Sequence, residues 1–300
     1  MALLLLLLTV AGCATGIDTT SRVTAGDVER NVGNLTPEQR FLADIAPEPF
    51  TSWQPGKRLH VTDNRIKLLL GATAPDEDLA GHAVTYIGSE PYATPAGETH
   101  TRLTFSTPGG HTIVYTSRLS PEKLAAKGSV EIPFTVEETV VAEAARRLTG
   151  NTYHILTPDR YTTAGDNTRR RKYIPVTVIA VNPGNAVYPL AVTIRDAGAA
   201  DNEMVYMNTG DTPGATRPFD RLMSFNDPRL RHPSITDRVW DNIINNRVDT
   251  GMTPPECRLA LGAPIDIDRH NNGSYITEVW TYDNGVFLIF EDGLLKEFRR

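Results

Sequence analysis

The stretch Gly251-Met252-Thr253-Pro254-Pro255-Glu256-Cys257-Arg258-Leu259-Ala260-Leu261-Gly262-Ala263-Pro264 decides how the end of the chain folds. It predicts a short helix with both ends marked. Thr253 stands at the N-cap, and Glu256, three residues on, closes a capping box by accepting from the cap's own amide. Pro254 takes the first helical position, where a missing N–H costs nothing. Met252 and Cys257 occupy the two positions of a hydrophobic staple. Gly262 supplies a left-handed stop, and Pro264 prevents continuation.

Working outward, residues 277–282, 286–290 and 294–298 read as strands, joined by the turn formers Asn284-Gly285 and Asp292-Gly293. On the other side, Pro233-Ser234-Ile235-Thr236-Asp237 starts another helix, with Ile235, Val239, Trp240, Ile243 and Ile244 on one side. Two helices and a three-stranded antiparallel meander then form an α+β unit. Its expected core is Val239, Trp240, Ile243, Met252, Leu259, Leu261, Val279, Trp280, Leu288, Phe290 and one of Leu294 and Leu295. Strand alternation sets Val279 and Trp280 on opposite faces, with the Trp280 ring expected against the capped helix.

Gly251-Met252-Thr253, the helix ending in Leu261-Gly262-Ala263-Pro264, and the strand carrying Trp280-Thr281-Tyr282, with Phe290 beyond it, resemble the small outer-membrane lipoproteins of the SmpA/OmlA (BamE-like) class. With Glu256 these residues form a structural signature. The resemblance covers roughly the last seventy residues, a typical size for a small module. It implies an outer-membrane setting and help in assembling β-barrel proteins. About 230 residues precede the matched part, where family members are a single small domain.

The chain begins with an apolar run, Leu3 to Leu8, followed by Val10-Ala11-Gly12-Cys13. The run is too short to span a bilayer and has the h-region and small-residue cleavage site of a secretory signal. The last four residues resemble a bacterial lipobox, which implies lipid attachment at Cys13. Cys257 is the other cysteine, so an acylated Cys13 leaves it without an intrachain partner. On the inner side of a short helix it reads as a buried small apolar residue.

The net charge of −6 argues against a nucleic-acid binder. Length and composition predict several small domains rich in β structure. The expected division is a signal over 1–12, a tether over 13–34, a helix and first β domain over 35–130, a helix and second β domain over 131–212, and the α+β unit over 213–300. The strands of the first domain are expected at 59–61, 66–70, 83–87, 101–106 and 112–117. Those of the second are expected at 152–156, 172–181, 188–195 and 203–207, after a helix over 136–148 capped by Thr135 and Glu138. Short strands broken by Gly and Pro turns suit small SH3-like barrels. The fold class is thus α+β, mainly β. Leu79-Ala80-Gly81 and Leu148-Thr149-Gly150 introduce similar strands in the two β regions, an echo that fits either a duplication or a chance match of short motifs.

No catalytic constellation stands out: there is no G-x-S-x-G elbow, H-E-x-x-H pair, Walker loop or paired-cysteine zinc spacing. No enzyme activity, cofactor or metal is expected. His100 and His111 have the spacing to meet across the hairpin at Gly109-Gly110, with Glu98 as a third ligand, but solvated strand positions are the simpler reading. Asp76-Glu77-Asp78 reads as a solvated acidic turn, and Asp266, Asp268, Asp283, Glu291 and Asp292 as loop residues. Trp53, Tyr92, Tyr161, Tyr188 and Tyr275 are aromatics open to a groove-lining role or to packing. The run Arg169-Arg170-Arg171-Lys172 offers an anion contact for lipid headgroups or glycans if it protrudes, or a charged edge strand if it does not. The functional expectation is a non-catalytic envelope lipoprotein that binds envelope proteins, with a glycan- or peptide-binding groove between the β domains as the alternative.

Overall fold

The computed structural model describes residues 35–199, 201–210, 216–271 and 276–299. The expected signal and tether, Cys13 and Tyr275 lie outside them. The described chain is mainly β, with sixteen strands in three antiparallel sheets and short helices against them. Neither β region closes into a barrel, which corrects the SH3-like expectation.

The chain opens with α1 (Pro37–Arg40) and reaches the first sheet at β1 (Arg58–Val61). The expected strand at 66–70 is instead a 3-10 turn followed by α2 (Lys67–Leu70). A short apolar run suits helix and strand equally, and the Asp63 carboxylate decides it by accepting from the Arg65 amide at 2.8 Å. Ile66 and Leu70, one helical turn apart, are buried, while Leu68 is left 82% exposed. There follow β2 (Ala83–Ala93), β3 (Thr99–Ser106), β4 (Thr112–Ser117), α3 (Pro121–Lys127) and β5 (Thr135–Glu137), in the order β4-β3-β2-β1-β5. Trp53 is buried in this sheet's core and edge-on to Tyr86, so it lines no groove.

The second helix starts later than expected, as α4 (Glu138–Leu148). Thr135 is not its cap. Residues 135–137 pair with β1 instead, which buries Glu137. That carboxylate accepts from Lys57 Nζ at 2.6 Å and from the Glu48 amide at 2.9 Å. Val140, Val141, Ala144 and Leu148 form the buried stripe of α4, which packs over the second sheet.

That sheet contains β6 (Thr152–Ile155), β7 (Asp159–Tyr161), β8 (Asn167–Arg169), β9 (Ile174–Pro183), β10 (Leu190–Asp196), β11 (Glu203–Met207) and, after α5 (Phe219–Leu222), β12 (Met223–Ser224). The order is β12-β6-β9-β10-β11-β7-β8. Both sheets contain a four-strand run, β1-β2-β3-β4 and β6-β9-β10-β11. The repeated sequence motifs nevertheless introduce the second strand of one run and the first of the other.

The boundaries drawn from sequence interleave. Leu42 and Ile45, just after α1, join the core of the second sheet, while β5 joins the first. Residues 219–224 belong to the second sheet rather than to the C-terminal unit.

The C-terminal unit comprises α6 (Asp237–Ile244), α7 (Pro254–Leu261), β13 (Asp266–Asn271), β14 (Ile276–Thr281), β15 (Phe287–Glu291) and β16 (Leu294–Arg299). The meander is four-stranded, in the order β13-β14-β15-β16. β13 is additional to expectation, and it places Asp266 and Asp268 in a strand rather than a loop. Trp240, Ile243, Met252, Cys257, Trp280, Leu288, Phe290 and Leu295 are buried together, with Val239, Leu259 and Leu261 partly buried beside them. Val279 and Leu294 lie outside that core, because alternation turns Val279 to the opposite face and a register shift beside Phe290 leaves Leu295, not Leu294, inside.

Candidate functional site

Every signature residue of the C-terminal unit has a structural task. Gly251 adopts φ +86°, a conformation costly for a residue with a Cβ. It turns the chain so that its N–H donates to Leu295 O at 2.8 Å, while the Leu295 N–H donates to Met252 O at 2.8 Å. Met252 and Cys257 are both buried in the same core, as a staple requires. Glu256 accepts from the Thr253 amide at 2.7 Å and completes the capping box. Gly262 ends α7 with φ +91°, Leu261 half-buried before it and Pro264 two residues beyond. The Gly262 carbonyl also accepts from the Tyr282 hydroxyl at 3.3 Å, tying the meander to the helix end. Trp280 packs on Phe290 with ring centroids 4.7 Å apart, and its Nε1–H donates to Glu278 at 3.1 Å. Burial pushes the Cys257 thiol up to about 12, as it does the Tyr282 hydroxyl, so neither group is a nucleophile near neutral pH.

The bonds from Gly251 and Met252 also matter for what the unit exposes. They occupy backbone groups of Leu295 on β16, one of the two edge strands. The other edge, β13, pairs only with β14 among the described residues, and all six of its residues are exposed. The remaining sheet edges are short or, on β4, tied at one residue to a neighbouring segment. β5 and β8 have three residues each and β12 has two. On β4, Thr73 Oγ1 accepts from the Val114 amide at 3.0 Å. β13 thus differs from the six-residue edges β4 and β16, each held at one residue by a neighbouring segment, and sequence periodicity missed it because a strand exposed on both sides carries no apolar alternation.

The basic run Arg169 to Lys172 does not act as one patch. Arg170 is paired with Glu203 at 2.6 Å and Arg171 with Asp196 at 2.7 Å. Glu203 also holds Arg160, itself 1% exposed, at 3.0 Å. Lys172 is buried, which corrects its reading as an anion contact. Its ammonium donates to Ala260 O at 2.8 Å, near the C-terminus of α7, and its backbone N–H donates to Ile244 O at 3.1 Å, at the end of α6. A cation on the last carbonyls of a helix complements the helix dipole. Lys172 therefore pins both helices to the second sheet, and burial lowers its pKa to about 8.

Only Arg169 of the four remains at the mouth of a concave surface without an ion pair among the described residues. An open cleft of about 500 Å³ is lined by Arg160, Arg169, Arg170, Arg171, Asp196, Asp201, Glu203, Asn245 and Asn246 among others. A neighbouring hollow of about 520 Å³ shares Arg169, Asn245 and Asn246 and adds Leu261, Tyr282, Asp283 and Asn284. Together they form a polar groove along the seam between the second sheet and the C-terminal unit, not between the two β domains.

The remaining candidates separate. Register pairs Ser106 with Thr112, so His100 and His111 lie at opposite ends of the β3–β4 hairpin. His100 sits 3.4 Å from Glu98, and His111 Nδ1 lies 3.0 Å from Glu77. Glu77 also accepts from the Thr107 hydroxyl, so it docks onto the turn rather than standing in solvent. Tyr92 lies under Arg102, and Tyr161 and Tyr188 each pack against Tyr206. No helix among the described residues is long and apolar enough to cross a membrane. No family model, curated protein or solved structure matches the chain.

Proposed function

We propose that this chain is a non-catalytic, lipid-anchored protein of the bacterial outer membrane that holds an envelope protein against its C-terminal unit, with a role in envelope assembly. One observation carries the reading: on the edge strand β13, residues 266–270 pair with β14 and make no backbone bond on their outer side to another described residue. Such an edge presents N–H and C=O groups to which a partner strand adds without special side-chain chemistry. The likeness of Val10 to Cys13 to a lipobox supports the anchor, and the resemblance of the C-terminal signature to BamE-like lipoproteins supports the setting. Anchoring both partners to one membrane raises their effective concentration, so a modest interface suffices.

The test is a photo-cross-linking residue placed in the full chain at Ile267, on β13, and for comparison at Leu230, which is 74% exposed elsewhere. The reading expects a protein adduct in living cells from position 267 and none from 230. Equal yields from both positions, or none from 267, would remove it. A second reading, a glycan or peptide held in the seam groove, is favoured by the two adjoining hollows that meet at Arg169. Adducts or ligand protection confined to Arg169 would shift the assignment there.

A further inference from the structure

Resting on the strand-addition reading, we infer that β13 accepts an extended segment of a partner protein whose residues alternate apolar and basic. The inference starts from what each face of β13 shows. Cross-strand register sets Ile267 opposite Trp280 on the helix-covered side, and Asp266 and Asp268 opposite Thr281 and Val279 on the other. Ile265, whose N–H donates to Thr281 O at 2.8 Å, leads into the strand. Ile265 is 67% and Ile267 41% exposed, because the helices do not reach over this edge. The sequence Ile265-Asp266-Ile267-Asp268 therefore offers two isoleucines on one side of an open edge and two carboxylates on the other.

A protective edge looks different. Proteins blunt edges with short strands, covering segments, proline or charge, and the other described edges are short or, at Val114 of β4 and Leu295 of β16, tied to a neighbouring segment. β13 is long, carries no proline and leaves isoleucine open beside its charges. An added strand sets its alternate side chains directly beside these residues. Opposite Ile265 and Ile267 the favourable neighbours are β-branched or aromatic, and opposite Asp266 and Asp268 they are lysine or arginine. Farther along, Arg269 is already engaged by Glu278, and Asp268 lies 2.9 Å from His270, an exposed pair with which an incoming lysine or arginine competes, so the selective positions are 265 to 268.

The experiment uses the full chain in detergent and dye-labelled peptides of about eight residues, enough to form one typical strand. The probes alternate valine with lysine, valine with glutamate, and serine with lysine, and binding is read by fluorescence anisotropy. Valine–lysine is expected to bind, with slowed amide exchange over residues 266–271. The other two are expected to bind weakly or not at all. The double substitution Asp266→Asn/Asp268→Asn should weaken valine–lysine binding roughly five- to tenfold, the effect of two opposite-charge cross-strand pairs. Ile267→Ser should weaken it too. All three side chains are exposed, so the fold is retained, and circular dichroism checks this.

Equal binding of the lysine and glutamate probes, with β13 still protected, overturns the charge assignment and leaves strand addition standing. Undiminished binding to the double variant, or protection of another segment, overturns the assignment to 265–268. Failure of every probe, together with absence of the Ile267 adduct in cells, overturns the strand-addition reading as well. Failure of every probe with the adduct present overturns the partner chemistry alone.

Discussion

Trp280→Ala is the sharpest test of the C-terminal core. The ring is 1% exposed, packs against Phe290 at 4.7 Å, lies under the Arg258 guanidinium at 4.7 Å, and donates its Nε1–H to Glu278 at 3.1 Å. Truncating a buried aromatic of this size costs about 3–5 kcal/mol, with the aromatic pair contributing about a quarter of it. The magnitude decides the outcome because the unit over α6 to β16 is small. At roughly 0.05–0.15 kcal/mol per residue its whole stability is about 3–9 kcal/mol, so the substitution removes a third of it or more. A global melt would blur this, since a chain with several cores need not unfold in one step. Hydrogen exchange of the full chain is therefore the assay, read at the amides of β14 and β15. Protection should fall by at least a hundredfold there and stay unchanged in the second sheet. Trp280→Phe, which keeps a ring against Phe290 and loses the hydrogen bond, should cost only about 1–2 kcal/mol. Unchanged exchange at Leu288 and Phe290 in Trp280→Ala would show that the ring is not part of the core, and the reasoning would fail.

Three further outcomes are expected. Lys57→Met leaves the buried Glu137 carboxylate without its cation and should cost about 3–5 kcal/mol, read by denaturant unfolding of the first sheet; a change under about 1 kcal/mol would mean that water replaces the pair. Lys172 titrates at about 8 in the folded chain and at its ordinary 10.5 when unfolded, so the unfolded chain holds the extra proton between those values and stability rises with pH there. Because Cys257 pulls the other way above its ordinary 9, the readout is wild type minus Lys172→Met, a difference that should grow by up to about 3 kcal/mol across the window; a flat difference refutes the burial of a charged ammonium. Cys13→Ala should abolish fatty-acid labelling and release the protein from membranes at high salt, and full retention after washing would remove the lipid-anchor reading.

Local chemistry made much of the C-terminal unit legible. Thr253, Glu256, Pro254 and Gly262 each act within a few residues of themselves, so the helix they bound could be read without knowing its surroundings. The turns at Gly285 and Gly293 are of the same kind. Ser120-Pro121 carries an equally local signal for α3, with the Ser120 side chain accepting from the Lys123 amide. The run at 66–70 is a helix where a strand was expected because an apolar stretch of that length has no decisive period, and the Asp63 cap together with the packing of Ile66 and Leu70 selects the helix.

The sequence by itself determined where backbone hydrogen bonds are made between near neighbours: caps, turns, and the alternation that buries Trp280 and turns Val279 away. The tertiary structure decided everything that depends on residues far apart in the chain. It took Thr135 from a helix cap and gave residues 135–137 to the first sheet, since pairing with β1 and the bond from Lys57 to Glu137 outweigh a local cap. It divided four adjacent basic residues into two surface ion pairs, one buried helix anchor and one guanidinium with no ion pair among the described residues, according to which carboxylate or carbonyl stood opposite each. It also tied Leu295, on one edge of the last sheet, to Gly251 and Met252, and set β13 at the other edge beside β14. Whether a strand is an edge depends on what lies beside it, and that neighbour is not written in the strand's own residues.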